Sequence, residues 1–256
     1  MASSMSRNAL ITGAGRRIGR AIARTLSEEG WGVVLHYRHS AEEVRALADE
    51  ITASGGRAAL VEADLAKTED VRDILRQAGD ALGPLHCLVN NASLFENDTI
   101  RSVSPESFHS HINTNLLAPL LLTQDFARQL PDGEQGNVIN IADQRVFNLR
   151  PDFLSYTLSK TGLWTLTQTT AMALAPRIRV NAIGPGPTLA NIHQSAADFH
   201  AEQQSVPLGY GPTPEEIALA VQFILKAKSM TGEFIALDGG QHLPTSGHMK
   251  GESPDE

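Results

Sequence analysis

Two hydrophobic periods alternate along the chain. Residues 8–12 form a short apolar run ending on a glycine-rich turn, and residues 16–29 then carry Ile18, Ile22 and Leu26 at four-residue spacing, which predicts a strand followed by an amphipathic helix. Apolar runs at 33–36 and 58–61 predict two further strands, and the stretch 41–53 between them has helical spacing and stops at Ser54-Gly55-Gly56. The same alternation predicts helices over 68–82, 106–130, 154–174 and 214–225, and strands over 85–90, 137–141, 178–183 and 232–237. Strands separated by helices build right-handed βαβ units, so the expected fold class is α/β: a doubly wound, mostly parallel sheet of about seven strands with helices on both faces.

No linker divides the pattern, and one domain over 8–243 is expected, between a flexible N-terminus (1–7) and a flexible polar tail (244–256). Residues 184–211 break the rhythm with Pro185, Pro187, Pro207 and repeated glycines, and are expected to form a substrate lid. The composition, 41% hydrophobic and 20% charged over 256 residues, excludes a disordered, collagenous or coiled-coil chain. With Cys87 alone, no intrachain disulfide forms and no cysteine-built metal cluster is expected. Lys and Arg total 21 against 29 Asp and Glu, a net charge of −8 that repels a phosphate backbone, so no nucleic-acid partner is expected. The longest apolar stretch, 116–122, is too short to span a bilayer, and residues 1–7 lead into no secretory apolar core; no membrane association and a cytoplasmic location are expected. Of nine histidines, His109 and His111 stand two apart on a predicted helix and point to different faces, so they are read as surface or interface residues and no metal site is expected.

The turn Thr12-Gly13-Ala14-Gly15-Arg16-Arg17-Ile18-Gly19 lies between the first strand and the first helix. Its glycines let backbone approach a pyrophosphate, and the helix N-terminus adds free N–H groups and partial positive charge. The second strand ends in His36-Tyr37-Arg38-His39-Ser40, with no acidic residue to bind the ribose hydroxyls of NAD. Arg16, Arg17, Arg38 and Ser40 suit the 2′-phosphate of NADP instead, so NADPH/NADP is the expected cofactor. Tyr156 and Lys160, four apart on a predicted helix, share one face, where the ammonium would lower the phenol pKa and fit it for proton transfer.

From Asn8 to about Leu243 the chain resembles the short-chain dehydrogenase/reductase family, whose TGxxxGxG turn and YxxxK pair match here except that Arg17 replaces the middle glycine. The resemblance implies a Rossmann-type fold and a homotetramer packed through the helices around Asn115 and Tyr156. It places Asp64 and Leu65 at the adenine, Gly13, Ile18, His36, Tyr37, Asn91, Ala92, Tyr156 and Lys160 along the cofactor, and Pro185 and Gly186 near the nicotinamide. It also implies that Asn115 holds a proton-relay water, and it requires a serine thirteen residues before the tyrosine, where this chain has Asp143. An ionised carboxylate only accepts hydrogen bonds and repels an oxyanion, which disfavours plain ketone reduction.

Arg17, Asn91-Ala92-Ser93-Leu94-Phe95 and the set Asp143, Tyr156, Lys160 are more narrowly similar to the pteridine and dihydromonapterin reductases. That likeness implies NADPH-dependent reduction of a pterin stacked on Phe95, with Ser93, Arg17, Asp143 and Tyr156 as substrate contacts and the Asp143–Tyr156 pair protonating a ring nitrogen. The alternatives are an NADP-dependent carbonyl or alcohol oxidoreductase and a non-catalytic NADP-binding sensor; intact Tyr156, Lys160 and Asn115 argue against the sensor.

Overall fold

The computed structural model describes residues 7–190 and 194–243. The expected flexible N-terminus, apart from Arg7, and the expected tail 244–256 lie outside the described residues. Seven strands, β1 (Asn8–Ile11), β2 (Gly32–Tyr37), β3 (Arg57–Glu62), β4 (Cys87–Asn90), β5 (Gly136–Ile141), β6 (Ile178–Pro185) and β7 (Phe234–Leu237), form one parallel sheet in the order β3-β2-β1-β4-β5-β6-β7. The sheet grows outward in both directions from β1 and β4, where Ala9 pairs with both Val33 and Cys87. That is the switch point of a Rossmann-type fold, and a crevice opens there beyond the strand ends.

Helices α1 (Arg17–Glu28), α2 (Ala41–Ala53), α3 (Thr68–Leu82), α4 (Pro105–Ile112), α5 (Ala118–Gln129), α6 (Leu154–Leu174), α7 (Ala196–Gln204) and α8 (Pro214–Lys226) complete the chain. The sheet separates two cores, because successive strand residues face opposite ways. Ala9, Ile11, Val33 and Leu35 meet Ile22 and Leu26 of α1 and Ile217 and Val221 of α8. Leu10, Val34 and Leu88 face the other way, onto Ile74 of α3 and Leu122 and Phe126 of α5. Burial on both faces explains why β1, β2 and β4 read as continuous apolar runs. Cys87 is buried in β4, and burial pushes its thiol up to about 12, so it is chemically inert.

Two elements differ from the sequence reading. The helix expected over 106–130 is α4 and α5 joined by a five-residue π turn, Asn113–Leu117. Pro119 has no N–H and crowds the carbonyl four residues back, that of Asn115, so the chain widens there and Ala118 N–H donates to Asn113 O. Residues 184–211, expected as a lid with no element assigned to it, contain α7, capped by Ser195, whose Oγ accepts from Asp198 N–H at 3.1 Å. With no buried residue, α7 has no apolar stripe to reveal it.

Candidate active site

The glycine turn is fixed from three strands. Thr12 Oγ1, at the end of β1, accepts from Asn91 N–H at 2.9 Å and Ala92 N–H at 3.0 Å. Asn91 Nδ2 donates back to Thr12 O and Gly13 O at 2.8 and 3.2 Å. Gly13 sits at φ +65, where a side chain is strained, and a Cβ on Gly19 would come within 2.2 Å of Gly13 O. The first turn of α1 carries no capping side chain and no acidic residue, and Arg17, Ile18 and Gly19 line the cleft. Those uncapped N–H groups fit the diphosphate of a dinucleotide.

At the end of β2 the expected cofactor contacts divide. His36 is buried behind the turn, its Nδ1 accepting from Gly13 N–H at 3.1 Å and its Nε2 facing Ala63 O at 3.2 Å. Burial lowers its pKa to about 4. His36 therefore holds the turn and does not face the cleft, a correction to its expected role as a ligand. Tyr37 is likewise buried and donates to Glu62 Oε2 at 3.1 Å, and Leu65 belongs to the core under α3. Arg38 is half-exposed at 3.3 Å from Asp64, and Arg16 pairs with Glu43. Asp64 is pushed up by burial, but the Ala66 N–H and Arg38 outweigh that and hold its carboxyl below the ordinary range. Ser40 Oγ lies where a Cβ on Gly15 would stand, 2.5 Å away, so this basic rim abuts the glycine turn.

On the other side of the cleft, Tyr156 and Lys160 project from α6 and are buried. Tyr156 OH donates to Asp143 Oδ2 at 2.6 Å, and Asp143 Oδ1 accepts from Arg145 N–H at 2.8 Å at the start of a 3-10 turn, Gln144–Val146. Lys160 Nζ donates to Ile141 O at 2.7 Å and stands 5.7 Å from the Tyr156 ring centroid. Burial raises Asp143, and burial followed by the Asp143 charge raises Tyr156 well above the ordinary phenol value. Burial also lowers Lys160 to about 8, against the opposing pull of Asp143. The expected lowering of the Tyr156 pKa is thus reversed, because the hydroxyl is buried and a carboxylate touches it, while the ammonium is turned to a carbonyl.

Asn115 has a role beyond the expected one. Its Oδ1 accepts from Leu94 N–H at 2.8 Å, and its Nδ2 donates to Leu94 O and Ser159 Oγ at 2.9 and 3.0 Å. Its side chain thus fixes the segment that carries Ser93 and Phe95, a positioning role beside the one expected from the resemblance. Phe95 stacks on Phe153, centroids 4.3 Å apart and planes 9° from parallel, and meets the Tyr156 ring edge-on at 4.6 Å. Arg145 lies over the Phe153 ring at 4.9 Å and pairs with Asp152 at 2.9 Å. Phe153 and Arg145 were not singled out from the sequence; Phe153 precedes a helix at φ 53, a conformation no residue pattern announces.

The cleft these walls enclose has a volume of about 580 Å³, within the range of small-molecule sites. Gly13, Arg16, Arg17, Ile18, Asn91, Ala92, Ser93, Phe95, Asp143, Tyr156, Lys160, Pro185 and Gly186 line it; His36, Tyr37, Arg38, Ser40, Asp64, Leu65 and Asn115 stand behind or beside it. Arg17 crosses it, donating from Nη2 to Leu189 O at 2.9 Å and from Nη1 to Ala190 O. Of the two paired histidines, His109 is exposed but His111 is fully buried, its Nδ1 facing Ser107 O at 2.8 Å and its Nε2 accepting from Glu96 N–H at 3.2 Å, which corrects its expected place on the surface. Among the described residues no group of three His, Cys, Asp or Glu side chains is arranged to hold a metal.

Sheet order, glycine turn and Tyr156–Lys160 pair together define a short-chain oxidoreductase, and the chain belongs to the short chain dehydrogenase family, whose model matches residues 7–201. Within that family, it is similar to FolM alternative dihydrofolate reductase 1 from Brucella suis in complex with NADP, with 44% identity, TM-score 0.90, and coverage of 97% of this chain and 98% of that one. The corresponding protein of Brucella canis, complexed with NADP, gives 45% identity and TM-score 0.90 over 97% and 96% of the two chains. In sequence, the chain is also 31% identical to the 3-oxoacyl-(acyl-carrier-protein) reductase FabG of Staphylococcus epidermidis over 93% of this chain and all of that one.

Proposed function

We propose that the protein is an NADPH-dependent reductase of pterin-type substrates, converting a dihydropterin or dihydrofolate to its tetrahydro form. The observation that carries this reading is the Asp143–Tyr156 hydrogen bond of 2.6 Å in the cleft wall. A carbonyl reductase needs a donor aimed at a developing oxyanion. A carboxyl raised by burial and bonded to a phenol instead shares a proton and can deliver it to a ring nitrogen.

When bound, NADPH would supply the hydride. Gly13, Ile18, Asn91 and Ala92 shape its diphosphate seat, Arg16, Arg17, Arg38 and Ser40 give the adenosine end a basic rim, and Pro185 and Gly186 close the far end. Phe95, held by Phe153 and Tyr156, lines the cleft with Asp143 and is read as the aromatic partner of a flat heteroaromatic ring, with Ser93 and Arg17 in the same lining. Residues 184–211 act as the lid, tied to the glycine turn through Arg17. Leu120 on α5 and Leu158 and Met172 on α6 are exposed, 40%, 48% and 75%, on the two helices next to Asn115 and Tyr156, which supports burial against partner subunits in a homotetramer. Among the described residues no helix is long and apolar enough to cross a membrane, and the reading adopts a cytoplasmic location.

The likeness to FabG favours a second reading, reduction of a carbonyl substrate with Asp143 acting protonated. The deciding experiment follows NADPH consumption with dihydropterins, dihydrofolate and a panel of ketones, in wild type and Asp143→Ser. Pterin-dependent turnover that collapses in the variant is expected; ketone turnover that survives or improves in it would overturn the pterin reading.

A further inference from the structure

We infer that Asp98, with its neighbour Asn97, is a positioning residue that seats Tyr156 against Asp143 by capping α6 from outside the helix. The inference rests on Tyr156 as the proton donor and holds for a pterin or a carbonyl substrate alike.

Tyr156 is the third residue of α6, so its hydroxyl is placed by where the first turn begins. A helix start leaves N–H groups without helical partners, and a Ser, Thr, Asp or Asn at the N-cap ordinarily serves one of them. The N-cap here is Phe153, which has no capping side chain and sits at φ 53, a region that favours glycine. The partners come instead from residues 56 and 57 positions away in sequence. Phe153 N–H donates to Asn97 Oδ1 at 3.1 Å, Leu154 N–H to Asp98 O at 3.0 Å, and Ser155 N–H to Asp98 Oδ1 at 2.9 Å.

The cap is itself held. Asp98 is 3% exposed, and its Oδ2 accepts from Ser107 Oγ on α4 at 2.8 Å. Burial pushes its carboxyl up, but Ser155, Ser107 and His111 outweigh that and hold it below the ordinary carboxylate range, so it carries the negative charge that a helix N-terminus favours. Nearby, Glu96 N–H donates to His111 Nε2 at 3.2 Å, and Asn115 clamps both backbone groups of Leu94. Residues 94–98 are thus anchored to α4 and the π turn on one side and hold the start of α6 on the other. The same segment carries Phe95, whose ring stacks on Phe153 and meets Tyr156 edge-on. Asp98 does not line the cleft, so it acts only through the groups it places. A displacement of about 1 Å at a reacting group costs on the order of 10²-fold in rate.

The test uses Asp98→Ala, which removes the cap, Asp98→Asn, which keeps an acceptor at the same reach, and Asn97→Ala at an exposed position. Its first readout needs no substrate: fluorine NMR of protein labelled with fluorotyrosine, where the Tyr156 line among the three tyrosines is the one missing from Tyr156→Phe. That line is expected to shift or broaden in Asp98→Ala, to shift less in Asn97→Ala and to hold its place in Asp98→Asn, with the Tyr37 and Tyr210 lines unmoved. The second readout is kcat on whichever substrate wild type turns over. Asp98→Ala is expected to lower it about 30-fold, with the NADPH Kd changed less than about threefold and Asp98→Asn within about threefold of wild type. In a Tyr156→Phe background the loss is expected to vanish, since a residue that acts through one hydroxyl then has nothing to act on. An equal loss of kcat in both backgrounds overturns the inference, as does a Tyr156 line unmoved in Asp98→Ala; Asp98 then serves the fold as a whole. Should Asp98→Ala fail to fold, an unmoved line in Asn97→Ala overturns it equally. Turnover of ketones and no pterin by wild type sinks the pterin reading alone, because every readout applies to either substrate.

Discussion

The two walls of the cleft use their polar side chains differently. On the β1–β4 side, Thr12, His36 and Asn91 direct their side chains at backbone groups of the glycine turn or its neighbours, and the left-handed positions are taken by Gly13 and Arg17. On the β5–α6 side, Asp143 and Tyr156 bond to each other, and the left-handed position is taken by Phe153. A wall whose polar atoms are spent on its own backbone presents one fixed shape, as a recurring phosphate-bearing ligand requires. A wall of side-chain ends chooses its ligand by chemistry and changes that choice with single substitutions. On the proposed reading, the difference assigns the diphosphate seat to backbone geometry and substrate recognition to side chains, while the side chains of Arg16, Arg38 and Ser40 serve the adenosine end.

The sharpest way to break this division is Tyr156→Phe. It removes the hydroxyl bonded to Asp143 and leaves the ring packing on Phe95. A fall in kcat on the order of 10³-fold is expected, within the span of proton-transfer contributions, with NADPH affinity changed less than about fivefold. An equal loss in cofactor affinity, read by NADPH fluorescence titration, would show that the walls are not separable. The alkaline side of the wild-type pH profile sharpens the same point. Lys160, lowered by burial to about 8, loses its charge as pH rises through that value, and kcat is expected to fall there.

The second prediction concerns the paired wall. His36 is lowered by burial from 6.5 to about 4 in the folded chain. Between those values the unfolded chain binds more protons than the folded one, so stability rises with pH across the window and is lost as pH falls from 6.5 toward 4. The contribution is about 3 kcal/mol, from a shift of that size. Denaturant unfolding of wild type and His36→Gln across this range should show a pH slope that the variant loses; equal slopes would place the acid sensitivity elsewhere.

Most of the fold was legible because its strands are buried on both faces and its helices on one, and both patterns are periodic. Helices α2, α3 and α6 begin and end where their spacing predicts, and strand ends move by no more than two residues. The π turn was not legible, since Asn113 to Leu117 continue a helical apolar pattern and only the ring of Pro119 hints at a widened turn. In the site, the glycine turn and the Tyr156–Lys160 pair were legible because their function depends on residue type at fixed spacing. What His36 and Asn115 do was not, because each is decided by a partner distant in sequence: Gly13 is 23 residues from His36, and Leu94 is 21 residues from Asn115. The direction of the Tyr156 shift was missed for a related reason, since spacing gives the face Lys160 occupies but not which acceptor its ammonium chooses.

Arg17 tests where one wall ends and the other begins. Its backbone belongs to the glycine turn, at φ 53, and its guanidinium holds the carbonyls of Leu189 and Ala190 after β6. Replacing it removes the tie in either of two ways. Arg17→Ala keeps a Cβ in the left-handed region, whereas Arg17→Gly relieves that strain, so the glycine variant should be the more stable by about 1 kcal/mol. Both lose the same contacts to the lid, and both are expected to raise the pterin KM about tenfold, the loss of one or two charge-assisted hydrogen bonds. NADPH affinity should fall less, by about threefold, because the uncapped N–H groups of α1 remain. A larger effect on NADPH than on the pterin would make Arg17 part of the cofactor wall, and the tie to Leu189 and Ala190 would then be incidental to substrate binding.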